Sequence, residues 1–264
     1  MTGGAPAVAE EGSQYLALGD SVVFGYITHD AFAYVNPDNF IGYPALVGQA
    51  RHLDVSNAAC PGEATGGFLA VNGADNGCVP YKAHFPLHVP YNGAATQEAY
   101  ALSFLHSHHD TKLVTLLLGA NDAFLLQKQC NFDPTCIGSH LGTVLATIGG
   151  NVNTILGAIR GTGYEGAIVV ENYYSLDYSD ASATFVTSLL NGAVTGSAAA
   201  HHAVVADVFT AFQNAATGAG GKTCQAGLLN GSPSSATACD VHPSVTGQKL
   251  IAETVLRAFD KVSD

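Results

Sequence analysis

Four short segments hold residue types that together could cleave an acyl bond. Gly19-Asp20-Ser21 places a hydroxyl directly after an apolar stretch. A serine just past a strand and at the start of a helix stands exposed, with its own backbone N–H free to donate. Asn57-Ala58-Ala59-Cys60-Pro61-Gly62 ends on a glycine, which lets the backbone approach a ligand closely. Gly119-Ala120-Asn121-Asp122 offers a side-chain amide, and Asp240-Val241-His242-Pro243 an imidazole. A serine hydroxyl is too weak a nucleophile at its own pKa and needs a base. Imidazole can take that proton and later return it to the leaving group. The N–H groups of Ser21 and Gly62 and the Asn121 amide are candidate oxyanion donors. Loss of one such donor typically costs about a hundred- to a thousandfold in rate. Each residue also has a plainer reading. Ser21 could be a helix cap, Gly62 and Asn121 turn residues, and His242 an ordinary surface histidine. The four functional readings stand or fall together.

The elements that must position these residues can be read from apolar runs. Strands are expected at 15–18, 53–59, 113–118, 167–170 and 203–208, as runs of the kind buried on both faces of a parallel sheet. Helices are expected at 44–50, 94–106, 141–159, 181–199 and 245–262. In the last, Ile251, Val255, Phe259 and Val262 recur on one helical face. Strand-helix alternation gives an α/β class, a three-layer α/β/α sandwich around a mostly parallel sheet. Ligands in such sheets bind at the carboxyl ends of strands, which is where the candidate residues fall. No repeat or linker divides the chain. The expectation is a flexible tail over 1–13 and a single domain over 14–264. Segments 62–93 and 213–240 lack regular pattern, and loops of that length usually have a function or are tied down.

The four blocks, in this order, resemble the SGNH (GDSL) hydrolase family, in particular its secreted, disulfide-containing actinobacterial lipases and esterases. The resemblance runs from Gly19 to Pro243, nearly the whole chain. It implies a flavodoxin-like SGNH fold and a serine esterase or lipase with Ser21 as nucleophile and His242 as base. Ser21, Gly62 and Asn121 would form the oxyanion hole, and the substrate would be a small-molecule or lipid ester. No metal or organic cofactor is required by that chemistry. One position departs from the family pattern. The acid usually three places before the histidine is replaced by Cys239, and Asp240 lies two places before. Either the Asp240 carboxylate or a backbone carbonyl near Cys239 and Asp240 could orient the ring and fix its tautomer. Gly-x-Ser-x-Gly, the signature of the α/β-hydrolase nucleophile elbow, does not occur.

Composition narrows the partners. Nine Lys and Arg against 21 Asp and Glu give a net charge of −12, and no basic run exists, so a nucleic-acid partner is disfavoured. Only 11% of residues are charged. No apolar stretch approaches the ~20 residues of a membrane span, and a monomer is expected. Cys60, Cys78, Cys130, Cys136, Cys224 and Cys239 fall in three local groups. Six cysteines allow 15 connectivities; pairing of neighbours, Cys60–Cys78, Cys130–Cys136 and Cys224–Cys239, is preferred. Disulfides place the chain in an oxidising compartment, as a secreted protein whose signal is absent from this sequence. His106, His108 and His109 could bind metal but read more simply as a helix end, where His suits the dipole; His201-His202 reads as a surface pair. Asp20 and Asp122 read as supports for the loops they sit in. Phe24, Tyr26, Phe68, Tyr81, Phe85, Tyr173 and Tyr174 could line an acyl or aryl pocket or belong to the core. The leading expectation is hydrolysis of short- or medium-chain acyl and aryl esters, because no lid or interfacial helix is evident. A carbohydrate acetyl esterase, an acyltransferase or a non-catalytic surface-binding module remain as alternatives.

Overall fold

The computed structural model describes residues 12–28, 33–232 and 238–263. Most of the expected tail, residues 1–11, lies outside them. Five parallel strands form the central sheet: β1 (Gln14–Gly19), β2 (Asp54–Asn57), β3 (Leu113–Leu117), β4 (Ala167–Glu171) and β5 (Val204–Ala206), in the order β2-β1-β3-β4-β5. In-register pairing runs from Tyr15↔Leu113 to Gly19↔Leu117 between β1 and β3. The helices are α1 (Ser21–Phe24), α2 (Tyr43–Arg51), α3 (Thr65–Leu69), α4 (Cys78–His84), α5 (Gln97–Ser107), α6 (Ala120–Gln129), α7 (Pro134–Gly161), α8 (Ala181–Thr195), α9 (Val208–Ala216) and α10 (Val245–Ser263). On one face α10 packs against α2, α9, β4 and β5; on the other α7 packs against α3, α5, α6 and α8. The result is the expected three-layer α/β sandwich.

The sheet is buried because its strands are apolar throughout. All of Leu113–Leu117 is buried, as is β1 from Tyr15 onward. Truncating one such leucine to alanine typically costs about 2–5 kcal/mol. The strand order places a switch point between β1 and β3, where crossovers leave to opposite sides and a crevice opens at the strand ends.

Several boundaries differ from those expected. β2 is shorter than 53–59: Asn57 turns the chain, its side chain accepting from the Ala59 N–H (3.1 Å) and donating to the Val23 carbonyl (3.0 Å). α7 begins seven residues before 141, because Asp133 caps it, accepting from the N–H groups of Thr135 and Cys136, with Pro134 in the first turn. α8 stops at Thr195, well short of 199. Segment 62–93, read as irregular, contains α3 and α4. The second irregular segment contains β6 (Leu229–Gly231) and ends inside β7 (Cys239–Pro243), its antiparallel partner, which carries His242. On α10, Ile251, Val255 and Phe259 are buried as expected, but Val262, in the last turn, is exposed.

At 28 residues, α7 is the described helix whose length and apolarity reach those of a membrane span, so the reading that no apolar stretch approaches one is corrected. Its second half is a core element: Ile148, Val152, Ile155, Leu156 and Ile159 are buried.

Candidate active site

Ser21 opens α1 immediately after β1. Gly19 has φ +145°, and a Cβ there would lie 2.2 Å from the Leu117 carbonyl oxygen, so the turn off the strand requires glycine. Its peptide is clamped by the buried Gln97 amide: the Gly19 N–H donates to Oε1 (2.6 Å) and Nε2 donates to the Gly19 carbonyl (3.0 Å). Asp20 caps α1, accepting from the Val22 N–H (2.9 Å) and from the Tyr173 hydroxyl (2.6 Å). Burial, more than any other influence, raises its pKa to about 6. The Gln248 amide accepts from the Tyr43 N–H and donates to the Val22 carbonyl. Neutral amides thus do the tethering that charged pairs do in more polar proteins. Among the described residues the one ion pair between an Arg or Lys and a carboxylate is Arg51–Asp260, far out on α2 and α10.

His242 reaches Ser21 from β7. Its Nε2 lies 3.0 Å from Ser21 Oγ, and its Nδ1 lies 2.8 Å from Asp240 Oδ1. The carboxylate, not a backbone carbonyl near Cys239, therefore occupies the position beside Nδ1. A two-residue spacing achieves this because alternate side chains of an extended strand share a face. The ribbon is irregular here: Leu229 pairs with Pro243 and Gly231 with Cys239, leaving residues 240–242 opposite Asn230 alone. Such a bulge re-aims side chains next to functional sites. Asp240 Oδ2 accepts from the Thr28 hydroxyl at 2.7 Å. Partial burial acts to raise the Asp240 pKa, but the hydrogen bond and charge of His242, with Thr28, outweigh it and bring it down to about 2. The ribbon is tied to its surroundings by the Cys224–Cys239 disulfide and by the Tyr174 hydroxyl, which donates to the Val241 carbonyl (2.6 Å).

Gly62 and Asn121, the candidate donors, follow the ends of β2 and β3. Gly62 has φ +85°, and a Cβ there would come within 2.7–2.8 Å of the Gly77 backbone. Cys60–Cys78 bridges the segments that carry these two glycines. Asn121 lies in the first turn of α6. Its Nδ2 donates to the Glu63 carbonyl (2.9 Å), which uses one of its two amide hydrogens. Its Oδ1 accepts from Asn76 Nδ2 (2.7 Å), and Asn76 Oδ1 in turn accepts from Lys128 Nζ (2.6 Å). Asp122 accepts from the Thr65 N–H and hydroxyl, which fastens α6 to α3. Burial raises the Asp122 pKa. Both aspartates are placed as loop supports.

Ser21, Gly62, Asn121 and His242 all line one cavity of about 720 Å³. Tyr26, Tyr81, Tyr173 and Tyr174 line it as well. Phe24 and Phe68 are core residues, fully buried, and Phe85 packs on Tyr34 and Tyr81. His108 stacks on Phe104 at the end of α5, centroids 4.0 Å apart, as a helix-end histidine. His201 bonds Asn153. Among the described residues two clusters have metal-like spacing, Cys130–Cys136–His140 and Cys60–Glu63–Cys78, but their cysteines form disulfides and so offer no thiolate. All three preferred pairings, including Cys130–Cys136, are present.

The sequence reading did not identify Thr28, Asn76, Gln97 or Lys128. Nothing local marks them, since each acts on a residue between 45 and 212 positions away or through such a residue.

Among solved structures the fold is similar to that of phospholipase A1 from Streptomyces albidoflavus NA297, at 18% identity and a TM-score of 0.61, covering 94% of this chain and 99% of that one. It is also similar to LAE5, an alpha/beta hydrolase from the metagenome of Lake Arreo, Spain (14% identity, TM-score 0.57, 96% and 97% covered). A third similar fold is a single-residue variant of Axe2, an acetyl xylan esterase from Geobacillus stearothermophilus (15% identity, TM-score 0.56, 94% and 95% covered). No curated protein matches the chain by sequence. The family model for GDSL-like lipases and acylhydrolases matches residues 17–250, which include every candidate residue above. The chain belongs to the GDSL-like lipase/acylhydrolase family, hydrolases of lipase and esterase type.

Proposed function

We propose that this protein is a secreted, monomeric carboxylic-ester hydrolase that works through an acyl-enzyme on Ser21. The observation that carries the reading is the unbroken line from Ser21 Oγ through the His242 ring to Asp240, with contacts of 3.0 and 2.8 Å. His242 Nε2 accepts the Ser21 proton as Oγ attacks the ester carbonyl. Asp240 holds the Nδ1–H tautomer and stabilises the imidazolium that forms. The N–H groups of Ser21 and Gly62 and the free amide hydrogen of Asn121 receive the developing oxyanion. Among the described residues no acceptor is bonded to the Gly62 N–H, and the first N–H groups of a helix have no intrahelical partner. The imidazolium then gives its proton to the departing alkoxide. A water activated by the same ring hydrolyses the acyl-enzyme.

Three disulfides favour export, since such bonds persist in oxidising compartments. A non-catalytic binding module has no need of a hydroxyl, base and acid in contact. Acyl transfer to another acceptor uses the same residues and differs only in what attacks the acyl-enzyme. The test is labelling by a fluorophosphonate and turnover of a nitrophenyl ester. Wild type is expected to be labelled at Ser21, and Ser21→Ala to lose label and activity by at least about 10⁴-fold. Undiminished turnover by Ser21→Ala would refute the mechanism.

A further inference from the structure

Glu63 follows Gly62 directly, yet its carboxyl group is turned inward: the residue is only 3% exposed. Gly67 in α3 leaves the space that Oε1 occupies, since a Cβ there would lie 2.7 Å away. Oε2 accepts from Gln97 Nε2 at 3.3 Å. It also lies 3.4 Å from the Cys78 sulfur, which as part of a disulfide has no proton to give. Gln97, at the start of α5, is fully buried. Its Oε1 takes the Gly19 N–H; one Nε2 hydrogen goes to the Gly19 carbonyl and the other to Glu63. The backbone of Glu63 is engaged as well. Its N–H donates to the Cys60 carbonyl (3.1 Å), which closes the turn containing Gly62. Its carbonyl accepts from Asn121 Nδ2 (2.9 Å), which spends one hydrogen of that amide and fixes the direction of the other.

We propose that Glu63 is a positioning residue of the oxyanion hole, holding the Ser21 N–H, the Gly62 N–H and the Asn121 amide in a single geometry. This rests on the serine-hydrolase reading and adds to it a residue that touches no substrate. The link to the serine turn runs through Gln97, the link to the second donor through the Gly62–Glu63 peptide, and the link to the third through the Glu63 carbonyl. Such donors serve the oxyanion only when aimed at the point where its charge develops. Truncating the Glu63 side chain orphans a buried Gln97 N–H, which loosens that amide and the Gly19 peptide it clamps. The carboxyl group suits this place when neutral, because it sits one residue from a donor that must receive negative charge. Burial, above all, pushes its pKa up to about 8; Lys82 on α4 and the Gln97 bond pull it down, whereas Asp75 and Asp122 push it up. Tyr91, which faces it too, is kept neutral well beyond that range by its own burial.

The experiment measures kcat and KM for nitrophenyl butyrate against pH, per folded molecule, in wild type, Glu63→Ala and Glu63→Gln. Glu63→Ala is expected to lower kcat by about ten- to a hundredfold with KM nearly unchanged, a part of the hundred- to thousandfold that a whole donor is worth. Glu63→Gln keeps an acceptor for Gln97 and is expected to recover most of that loss at neutral pH. Wild-type kcat is expected to fall about tenfold as pH rises through about 8, as a like charge beside the oxyanion would do at an effective dielectric of about 20. Glu63→Gln cannot ionise and is expected to stay flat there. Glu171, which titrates in the same range, is untouched in that variant, so a fall that survives in Glu63→Gln overturns the proposal. Wild-type kcat per folded molecule in Glu63→Ala, with only a lower urea midpoint, is the mark of a merely structural role and overturns it too. Should Glu63→Ala fail to fold, the pH profile of Glu63→Gln decides. Either overturning result, with wild type active and labelled at Ser21, leaves the catalytic reading standing. Absence of turnover in wild type, with no label on Ser21, removes both.

Discussion

Ser21 stands at the end of β1, which is paired on both sides, whereas His242 stands on a two-stranded ribbon outside the main sheet. The serine end is held from within. Gly19, Val22 and Tyr173 are each bonded by a buried Gln or Asn amide, and Asn57 grips Val23 from the neighbouring strand end. The histidine end is held from its edges by Cys224–Cys239, Tyr174 and the Thr28–Asp240 contact. A buried amide with both bonds made is costly to open, because opening orphans several polar groups at about 1–3 kcal/mol each. A half-exposed ribbon has fewer such ties. Ser21 is therefore the fixed member of the pair, and the placement of His242 is what conditions and mutations can disturb.

The largest expected effect tests whether the ribbon's carboxylate matters to the chemistry. Asp240→Asn keeps the shape and is expected to lower kcat by about 10⁴-fold, as loss of the correct tautomer does in serine proteases. Near-normal kcat would mean that the ring is oriented without it. Next is the disulfide. Paired Cys224→Ser and Cys239→Ser replacement opens a loop of separation 15, worth roughly 3 kcal/mol in the chain-entropy model. Activity and labelling by a small fluorophosphonate, which both need the His242 base, are expected to fall while far-UV circular dichroism reports an intact sheet. Coincident loss of activity and secondary structure would erase the contrast between the two ends.

A third prediction concerns Lys128. It reaches Asn121 through Asn76, and polarises the amide at one remove. Lys128→Met is expected to lower kcat by about three- to tenfold with little change in KM, as hydrogen-bonded chains strengthen their terminal donor. In an Asn121→Ala background the same change is expected to do nothing. An equal effect in both backgrounds would reduce Lys128 to a surface contact.

The smallest effects are those of pH on stability, and they run in opposite directions at the two ends. Glu171, at the end of β4, accepts from the Tyr43 hydroxyl (2.8 Å) and is raised by burial from 4.5 to about 8. A folded pKa above the unfolded one means that its contribution is full below about 4.5 and is lost as pH rises through about 8. Asp240 is lowered from 3.8 to about 2, so its contribution is full above 3.8 and is lost as pH falls through about 2. Glu171→Gln is expected to flatten the decline in urea midpoint between about pH 5 and pH 8. If the slope persists, the sheet's pH response lies elsewhere.

Much of the fold was legible because its strands are continuous apolar runs and their periodicity needs no context. Leu113–Leu117 lies wholly within the expected 113–118. The site was legible where chain order and strand ends coincide, at Ser21, Gly62 and Asn121. The ribbon was not, because β6 has only three residues, too few for a periodic signal. The supports Gln97, Asn76 and Thr28 were not, because a hydrogen bond across tens to hundreds of residues leaves no local mark. The reverse also occurred: the Asp133-Pro134 start of α7 was written plainly in cap chemistry, and the longer reading of that helix was available from it.

By itself the sequence determined the layer architecture and the order of the reactive residues. Those properties depend on composition and short-range spacing. Only the tertiary structure decided which acceptor meets His242 Nδ1 and what the Glu63 carboxyl group meets. The first depends on extended backbone at residues 240–242 in a bulged ribbon. The second depends on β2, β1 and β3 lying side by side, since spacing along the chain does not specify which strand ends become neighbours.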